Sequence, residues 1–532
     1  MLYESLTDTE RQALNTSMFK AYDIRTKSAA LTHTLSLRLI HALARYLSEV
    51  LGVSRVVIGR DARLAAPALM ELAIEVFADT GLDVLVNPLQ ISTCQFYFAC
   101  MQNPQAAGVM FTASHNPGSY IGMKLVAPGL QTLAMGAGPE GGIIAIRELY
   151  IEGKQAEKST KGRGKVEIHR YLDEYIEYSS RLAGVDEKTL EGVSILTDFL
   201  CGAAGSEVVE ALSRAGAQVR VRNLVPDGRF PAGDPNPIID ESIKPTWEMM
   251  RSGAYDFGFC FDGDGDRMDV MDAHGVQLTP SFNLSILIPE IKGFFKGVYD
   301  SGYFGSSDWD PHMYYDVKAN PPSVVQMAKC EISVHIIRNG HSFIKEELRK
   351  NLDKQYLVAS EESAHYYMNF PFDLDDYSKG FAATENTLYF TLLTAKMWAK
   401  NPQLYKEAIK VQKQIHRMRE WPCHFYDDKH IEPVVAEVEE VFKAQGLEVF
   451  KSMEDGNDLD ATLMRSGLPE HIDSTTNLNG DWLQVAQRIS RSEEGMARWE
   501  VASSSAERLQ KAVEDIRAIT DRYVDANLAE YE

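Results

Sequence analysis

Two short stretches of this chain carry residue types that do chemistry. Phe259-Cys-Phe-Asp-Gly-Asp-Gly-Asp-Arg-Met-Asp-Val270 alternates Asp262, Asp264 and Asp266 with glycines, directly after an apolar run. Glycines let the backbone fold so that carboxylates two residues apart converge on one point. Three converging carboxylates repel one another unless a hard cation such as Mg²⁺ sits between them. An EF-hand opens with the same alternation, but it requires Gly at its sixth position and Glu at its twelfth. Arg267 and Ala273 stand there, and the EF-hand reading fails. The second stretch is Gly108-Val-Met-Phe-Thr-Ala-Ser-His-Asn-Pro117. Val109 to Phe111 reads as a short buried strand, broken by small and polar residues and fixed in a turn by Pro117. Such a strand presents a hydroxyl at the carboxyl edge of its sheet, the usual ligand edge of open α/β folds. Ser114 is therefore a candidate covalent nucleophile. Three aspartates leave coordination positions free, and a phosphate on Ser114 is suited to fill one as charge moves with a phosphoryl group.

The elements that must position these loops follow from periodicity. Residues 1–17 read as a polar lead-in helix, and Leu31 to Leu51 as a long amphipathic one. Val56 to Ile58 is a buried strand, followed by Gly59-Arg-Asp-Ala-Arg63 and a helix from Pro67 to Ala78. Pro67 is tolerated because the first helical turn has no partner for its missing N–H. Gly81 stops that helix and Val84 to Val86 returns as a strand, completing a βαβ unit. The plan recurs at Val193 to Thr197, Gly205 to Ala215 and Val219 to Val221. It recurs again at Tyr314 to Val317, Val324 to Lys329 and Ile332 to Ile337, so repeated α/β modules are expected rather than one large sheet. A polar Gly/Lys-rich linker covers 152–164, and Pro226 to Pro237 is too rich in turn-formers to be an element. Residues 400–425 read as a bridge to a last α+β segment. That segment has a helix from Val434 to Ala444, a polar run from Lys451 to Asp481, strands near Trp482 to Val485 and Arg498 to Ala502, and a closing helix from Ala506 to about Leu528.

A chain of 532 residues exceeds one core, and about three to five domains is the expectation. No apolar run approaches bilayer length, and the N-terminus lacks a basic–apolar leader, so a cytoplasmic location is expected. Six scattered cysteines without CxxC spacing fit a reducing compartment. A net charge of −22 argues against nucleic acid or an anionic membrane as partner. It also demands a local cluster of basic groups wherever an anionic small molecule binds.

With these loops in hand, the chain resembles the α-D-phosphohexomutase superfamily, most closely phosphomannomutase/phosphoglucomutase. The resemblance rests on Phe19-Lys-Ala-Tyr-Asp-Ile-Arg25, Gly59 to Arg63, Thr112-Ala-Ser-His-Asn-Pro117, Asp262-Gly-Asp-Gly-Asp-Arg267, Gly340-His-Ser342 and Ser360-Glu-Glu-Ser-Ala-His365. It implies four domains around a central cleft: three α/β modules over 1–163, 164–276 and 277–405, and an α+β domain over 406–532. It implies a phosphoryl group on Ser114, Mg²⁺ held by Asp262, Asp264 and Asp266, and a hexose 1,6-bisphosphate intermediate that also activates. The expected reaction interconverts hexose 1-phosphate and hexose 6-phosphate of mannose and/or glucose. Lys124 matches the lysine placed beside the phosphoserine, expected to shuttle a proton with a lowered pKa. His115 is expected to orient or bind phosphate. Arg25, Tyr22, Arg267 and Lys20 are expected to bring positive charge toward the phosphoryl group.

For sugar recognition, the family pattern Gly-Glu-x-Ser-Gly-His maps to Glu361, Ser363 and His365, with Ser360 and Ala364 replacing glycines. Read as an extended segment after the strand Gln355 to Val358, these three share one side. Lys318 and His341 match further ligand-contacting positions. The phosphate loop, Arg-x-Ser-Gly-Thr-Glu-Pro in relatives, maps to Arg488-Ile-Ser-Arg-Ser-Glu-Glu494, so that Arg488, Ser490, Arg491 and Ser492 would hold the non-reacting phosphate. Competing readings are a phosphoglucosamine mutase, which usually has Gln where Glu362 stands, a phosphopentomutase, and a non-catalytic sugar-phosphate sensor on the same scaffold. Sugar phosphates are the expected partners; monomer and dimer stay open.

Overall fold

The computed structural model describes residues 2–305, 308–491 and 493–531. The chain divides into two compact units: Met1–Gln277, Lys345–Lys350 and Ser363–Lys400 in the first, Leu278–Ile344, Asn351–Glu362 and Asn401–Glu532 in the second.

In the first unit the apolar runs pair as their pattern dictates. Ala107–Phe111, Arg55–Arg60, Asp83–Gln90 and Val166–Ile168 lie side by side, all parallel. Tyr120–Ala127 and Ile24–Lys27 extend the other edge antiparallel. The last parallel strand carries this sheet past the expected boundary at residue 163. Helices His33–Arg45 and Ala66–Asp79 contribute to the core, which gathers Ile58, Val109, Phe111 and Met123 with Leu39 and Phe77. The helix Thr93–Met101 has no counterpart in the sequence reading. All nine of its residues are buried, and a helix enclosed on every side shows no apolar–polar period. A second sheet orders Met268–Asp272, Phe257–Phe261, Ser194–Asp198 and Gln218–Arg222. Its first pair is antiparallel and the rest parallel. An antiparallel pair, His365–Pro371 with Phe381–Glu385, and the helix Thr387–Lys400 complete the unit.

In the second unit His312–Asp316 lies between Ser333–Ile337 and Tyr356–Glu361, all parallel, with helices Pro280–Asp300 and Pro321–Ala328. Its C-terminal sheet is antiparallel, in the order Glu448–Ser452, Asp458–Ser466, Leu483–Ile489, Met496–Ser503, His416–Phe425, Ala529–Tyr531. Ile431–Ala444 and Ala506–Asp525 pack there through Val434, Phe442, Ile516, Val485 and Trp499. Two expectations change here. The bridge 400–425 contains the helix Pro402–Gln412 and the strand His416–Phe425, and the polar run 451–481 contains the strand Asp458–Ser466. That strand buries Leu459, Leu463 and Met464, but its remaining residues are polar apart from Ala461, which masked it. The fold is a multi-domain α/β architecture with an antiparallel α+β end.

Candidate active site

Each of the two chemical loops joins antiparallel strands in the first unit. The serine loop connects Ala107–Phe111 to Tyr120–Ala127, a pairing that sets Met110 opposite Lys124. The aspartate loop connects Phe257–Phe261 to Met268–Asp272, with Phe261 opposite Met268. Gly263 explains how the loops meet. A Cβ on it would lie 2.8 Å from the Ser114 carbonyl oxygen, so only glycine allows that approach. Gly265, at φ +71, would drive a Cβ to 2.7 Å from that of Ala204.

Ser114 is 3% exposed and sits at φ +50, a left-handed conformation that costs a non-glycine residue roughly 1–2 kcal/mol. The surroundings hold it there. Its N–H donates to Thr112 Oγ1 at 2.9 Å. Arg63, fully buried, donates to the carbonyls of Ser114 (2.7 Å), Asn116 (2.6 Å), Pro117 (2.8 Å) and Tyr120 (2.9 Å), and its Nε to Asp61 at 3.2 Å. Sequence reading placed Arg63 and Asp61 in a matching motif without giving them this task. Burial pushes the Asp61 carboxyl up to about 6 against the pull of Arg63. Arg25 donates to Asn116 Oδ1 at 2.5 Å and pairs with Asp23. Tyr22 occupies the bend before Ile24–Lys27 and is half-buried.

Ser114 Oγ lies 3.2 Å from His115 Nδ1 and 3.3 Å from Asp262 Oδ2. The three aspartates are buried, and one oxygen of each lies within 4.8 Å of the others. Asp262 Oδ1 accepts from the N–H groups of Asp266 and Arg267, both at 3.1 Å. Thr93, in the unforeseen helix, donates to Asp264 Oδ2 at 2.5 Å. Burial, then the carboxylates of Asp266 and Asp264, push the Asp262 carboxyl well above the usual range. Asp264 Oδ1 and Asp266 Oδ1 are buried without a hydrogen bond among the described residues. Unsatisfied hard oxygens and mutual repulsion are what a divalent cation such as Mg²⁺ relieves, so the residues fit that ion.

Lys124 departs from expectation. Its ammonium reaches Asp264 Oδ2 at 2.8 Å and also pairs with Asp266. Burial opposes its charge, but the carboxylates of Asp264 and Asp266 prevail and hold it well above the ordinary lysine range. The shift runs upward, opposite to the lowering expected of it. For Asp266, burial acts upward, but Lys124 and His365 outweigh it and hold the carboxyl below its usual range.

The row of Glu361, Ser363 and His365 is not an extended segment. The strand Tyr356–Glu361 ends at Glu361, residues 362–364 turn, and a new strand begins at His365. Ala364 takes φ +72 where the family pattern has glycine, which is why the chain turns despite the substitution. His365 belongs to the first unit: its Nε2 accepts from Arg267 Nε at 3.1 Å. Ser363 lies in the turn. Glu361, in the second unit, accepts from Asn339 Nδ2 at 3.0 Å and Gly340 N at 3.1 Å. It thereby caps the turn that starts the helix His341–Lys350. Glu362, which weighed against an amino sugar, is turned away to Arg417 at 3.1 Å and accepts from Ser281 N at 3.3 Å. Its identity reflects that ion pair, so the distinction drawn from it falls away.

In the phosphate loop, Arg488 makes a two-pronged pair with Glu420, Nε and Nη2 at 2.9 and 2.8 Å. Arg498, directly across the strand pair from Arg488, lies 3.4 Å from the same carboxylate, and Lys318 lies 3.8 Å from it. Arg498 and Glu420 were not foreseen. Their signal was the hairpin that sets positions 488 and 498 opposite. Arg491 turns to Asp460 at 2.9 Å and is 55% exposed on its side chain, so the second guanidinium beside Arg488 is Arg498. Ser490 accepts from the Glu493 N–H at 3.2 Å, and Ser492 lies outside the described residues. Among the described residues no helix is long and apolar enough to cross a membrane.

Residues 16–134 match the family model phosphoglucomutase/phosphomannomutase, alpha/beta/alpha domain I, and 173–275 match domain II of that family. A phosphomannomutase of Escherichia coli is 30% identical over 355 residues, 66% of this chain and 72% of that protein. A protein named phosphohexose mutases from Xanthomonas campestris pv. campestris is 29% identical over 408 residues, 76% of this chain and 81% of its own length. The solved phosphoglucomutase/phosphomannomutase family protein of Burkholderia thailandensis shares the fold, with a TM-score of 0.71 at 20% identity, over 95% of this chain and 97% of that one. The chain belongs to the phosphoglucomutase/phosphomannomutase family, within the α-D-phosphohexomutase superfamily of isomerases.

Proposed function

We propose that this chain interconverts hexose 1-phosphate and hexose 6-phosphate, of mannose and/or glucose, through a phosphoryl group carried by Ser114 and a hexose 1,6-bisphosphate. One observation carries the reading: the Ser114 hydroxyl lies 3.3 Å from a buried carboxylate triad with unsatisfied oxygens. A serine and a sugar hydroxyl are both weak nucleophiles, and negative charge must be managed in both directions of transfer.

Asp262, Asp264 and Asp266 would hold Mg²⁺, which when bound supplies positive charge beside the phosphoryl oxygens. The protein's own groups do the rest. Arg63 fixes the loop backbone that aims Ser114, and Lys124 balances two of the carboxylates. His115, hydrogen-bonded to Ser114 Oγ, is placed to take the serine proton when the phosphoryl group returns from sugar to enzyme. Arg267 is placed to meet phosphoryl oxygens, being anchored by its N–H on Asp262. Forming a bond from the sugar oxygen to phosphorus breaks the Ser114 ester, and the proton lost by the sugar hydroxyl ends on the serine oxygen; the bisphosphate then reorients and gives its other phosphoryl group to Ser114, so the sugar emerges with its phosphate moved. In the second unit, Lys318, Arg488 and Arg498 offer cations suited to the non-reacting phosphate, and Glu361 and His341 offer groups suited to sugar hydroxyls. A four-domain division is part of the same proposal, with the first boundary after Ile168 and the others near 276 and 405.

Ser114→Ala tests it. Turnover of glucose 1-phosphate and mannose 1-phosphate should vanish, while sugar-phosphate binding measured by calorimetry stays within a few fold. Intact mass of the unmodified enzyme should show one phosphoryl group. Retained turnover in the variant would reject the phosphoserine. A wild-type protein that binds but never turns over would instead be a sensor.

A further inference from the structure

Three cations of the second unit converge on one carboxylate that the proposed reaction does not use. Glu420 Oε2 accepts from Arg488 Nε at 2.9 Å, and its Oε1 from Arg488 Nη2 at 2.8 Å. Arg498 Nη1 reaches Oε1 at 3.4 Å, and Lys318 Nζ lies 3.8 Å from Oε2. Arg498 gives its second terminal nitrogen to Glu493, and its Nε is buried without a hydrogen bond among the described residues. A guanidinium fork grips two carboxylate oxygens as it grips two phosphate oxygens. Burial acts against the Glu420 charge, but Arg488, Lys318 and Arg498 outweigh it and hold the carboxyl far below its ordinary range. Glu420 is therefore an anion at neutral pH, seated on edges that suit a phosphate.

Its strand aims it there. His416–Phe425 pairs antiparallel with Met496–Ser503, Met418 opposite Val501 and Trp421 opposite Trp499. Arg419 and Glu420 thus oppose the single residue Glu500, and this β-bulge re-aims the side chain and disrupts the ladder around it. Pro422, opposite Arg498, has no N–H with which to tighten that ladder. The Glu420 side chain keeps 16% of its surface in solvent, so water is at hand to take over its charge once it lets go.

Whether Glu420 stays or leaves when a phosphate arrives follows from charge and geometry. The Nε–Nη2 edge of Arg488 and both terminal nitrogens of Arg498 are held by carboxylates. A phosphate reaches those donors only in place of one. Glu493 pairs with Arg498, and Asp316 with Lys318 at 3.4 Å, whereas Glu420 reaches all three cations. A phosphate bound beside Glu420 would set two anions on shared cations, at a range where like charges repel strongly outside bulk water. Displacement removes that repulsion.

We infer that Glu420 is a resident anion that competes with the non-reacting phosphate for Lys318, Arg488 and Arg498, holding the cluster until the phosphate displaces it. The inference rests on the reading of this cluster as the phosphate site of the proposed mutase. A built-in competitor loosens the hold on that phosphate, which a bisphosphate needs in order to let go and present its other end.

Calorimetry with inorganic phosphate tests it, comparing wild type with Glu420→Gln, which keeps the size and loses the charge. The variant should bind phosphate at least about tenfold more tightly, the competitor lost being a charged hydrogen-bond partner. KM for glucose 1-phosphate should fall alongside, with kcat lowered as release slows. Unchanged or weaker phosphate binding would overturn the inference, because a carboxylate that merely orients the arginines helps the phosphate and its loss hurts. Adding Arg488→Gln should cancel the gain; a gain that persists places the phosphate elsewhere and also overturns it. If the variants do not fold, wild-type crystals soaked in phosphate decide. Phosphate on Arg488 with Glu420 swung away supports displacement; Glu420 still paired with Arg488, with or without phosphate beside it, refutes it. A protein that shows the tighter binding but turns over no hexose phosphate would lose the mutase reading and keep the displacement.

Discussion

Glu207 offers a quantitative test of how the site is backed. It lies in the first turn of the helix Gly205–Arg214 and is 1% exposed. Ser92 Oγ, at 2.5 Å, and Gln95 Nε2, at 2.7 Å, meet its two oxygens. Burial raises its carboxyl from the ordinary 4.5 to about 8, with the Ser92 and Gln95 hydrogen bonds opposing. The folded protein therefore keeps Glu207 protonated at neutral pH. A raised carboxyl contributes stability that is complete below the unfolded pKa and is lost as pH climbs through the folded one. The loss runs from about pH 4.5 to about pH 8 at ~1.4 kcal/mol per unit, ~5 kcal/mol in total. Glutamine imitates the protonated acid: its amide donates to Ser92 Oγ and its oxygen accepts from Gln95. Glu207→Gln should be near neutral at pH 5 and increasingly stabilising, relative to wild type, up to pH 8, with a plateau beyond. At about 2–4 °C per kcal/mol for a domain of this size, the gap in melting temperature should widen by roughly 3–6 °C per pH unit. Parallel thermal scans of the two proteins from pH 5 to 9 measure it, and groups common to both cancel. A gap that stays flat, or narrows as pH rises, would falsify the protonated-carboxyl account.

Arg63→Met removes five hydrogen bonds and strands the Asp61 carboxyl in the interior; breaking a buried pair this way costs about 3–5 kcal/mol. The loss should appear as an early unfolding transition, and adding Asp61→Asn should recover part of it; no recovery would mean that the stranded charge is not the cause. Gly263→Ala forces a Cβ against the Ser114 carbonyl and should lower kcat at least tenfold or so with a modest melting shift. Gly293→Ala, in the helix Pro280–Asp300 with nothing within 4 Å, should leave kcat alone and stabilise by up to about 1 kcal/mol. Equal effects from both would remove the steric argument. Exhaustive chelation should stop turnover and Mg²⁺ restore it; activity that survives would take the cation out of the reaction.

The two chemical loops were legible because their signal lies in side chains at fixed spacing after apolar runs. Arg63 was not, since its partners are carbonyl oxygens of Ser114, Asn116, Pro117 and Tyr120, and main-chain acceptors leave no mark on residue identity. The state of Lys124 was read backwards. Distance in sequence showed the cation beside the serine, but the sign of its shift depended on Asp264 and Asp266 lying closer than any other charge. The turn at 362–364 was hidden because Ser360 and Ala364 replaced the glycines that announce one, and Ala364 adopts the left-handed backbone regardless. Arg491 was named because it falls within the matched motif, whereas strand register places Arg498, which the motif does not reach, beside Arg488.

Because Arg63 grips the serine loop by four main-chain oxygens, the shape of that loop owes little to what Ser114, His115 or Asn116 display. Replacing any of those three leaves the grip in place. Alanine variants there should keep a native-like backbone, and activity lost in them can be charged to missing reactive groups instead of to a collapsed segment.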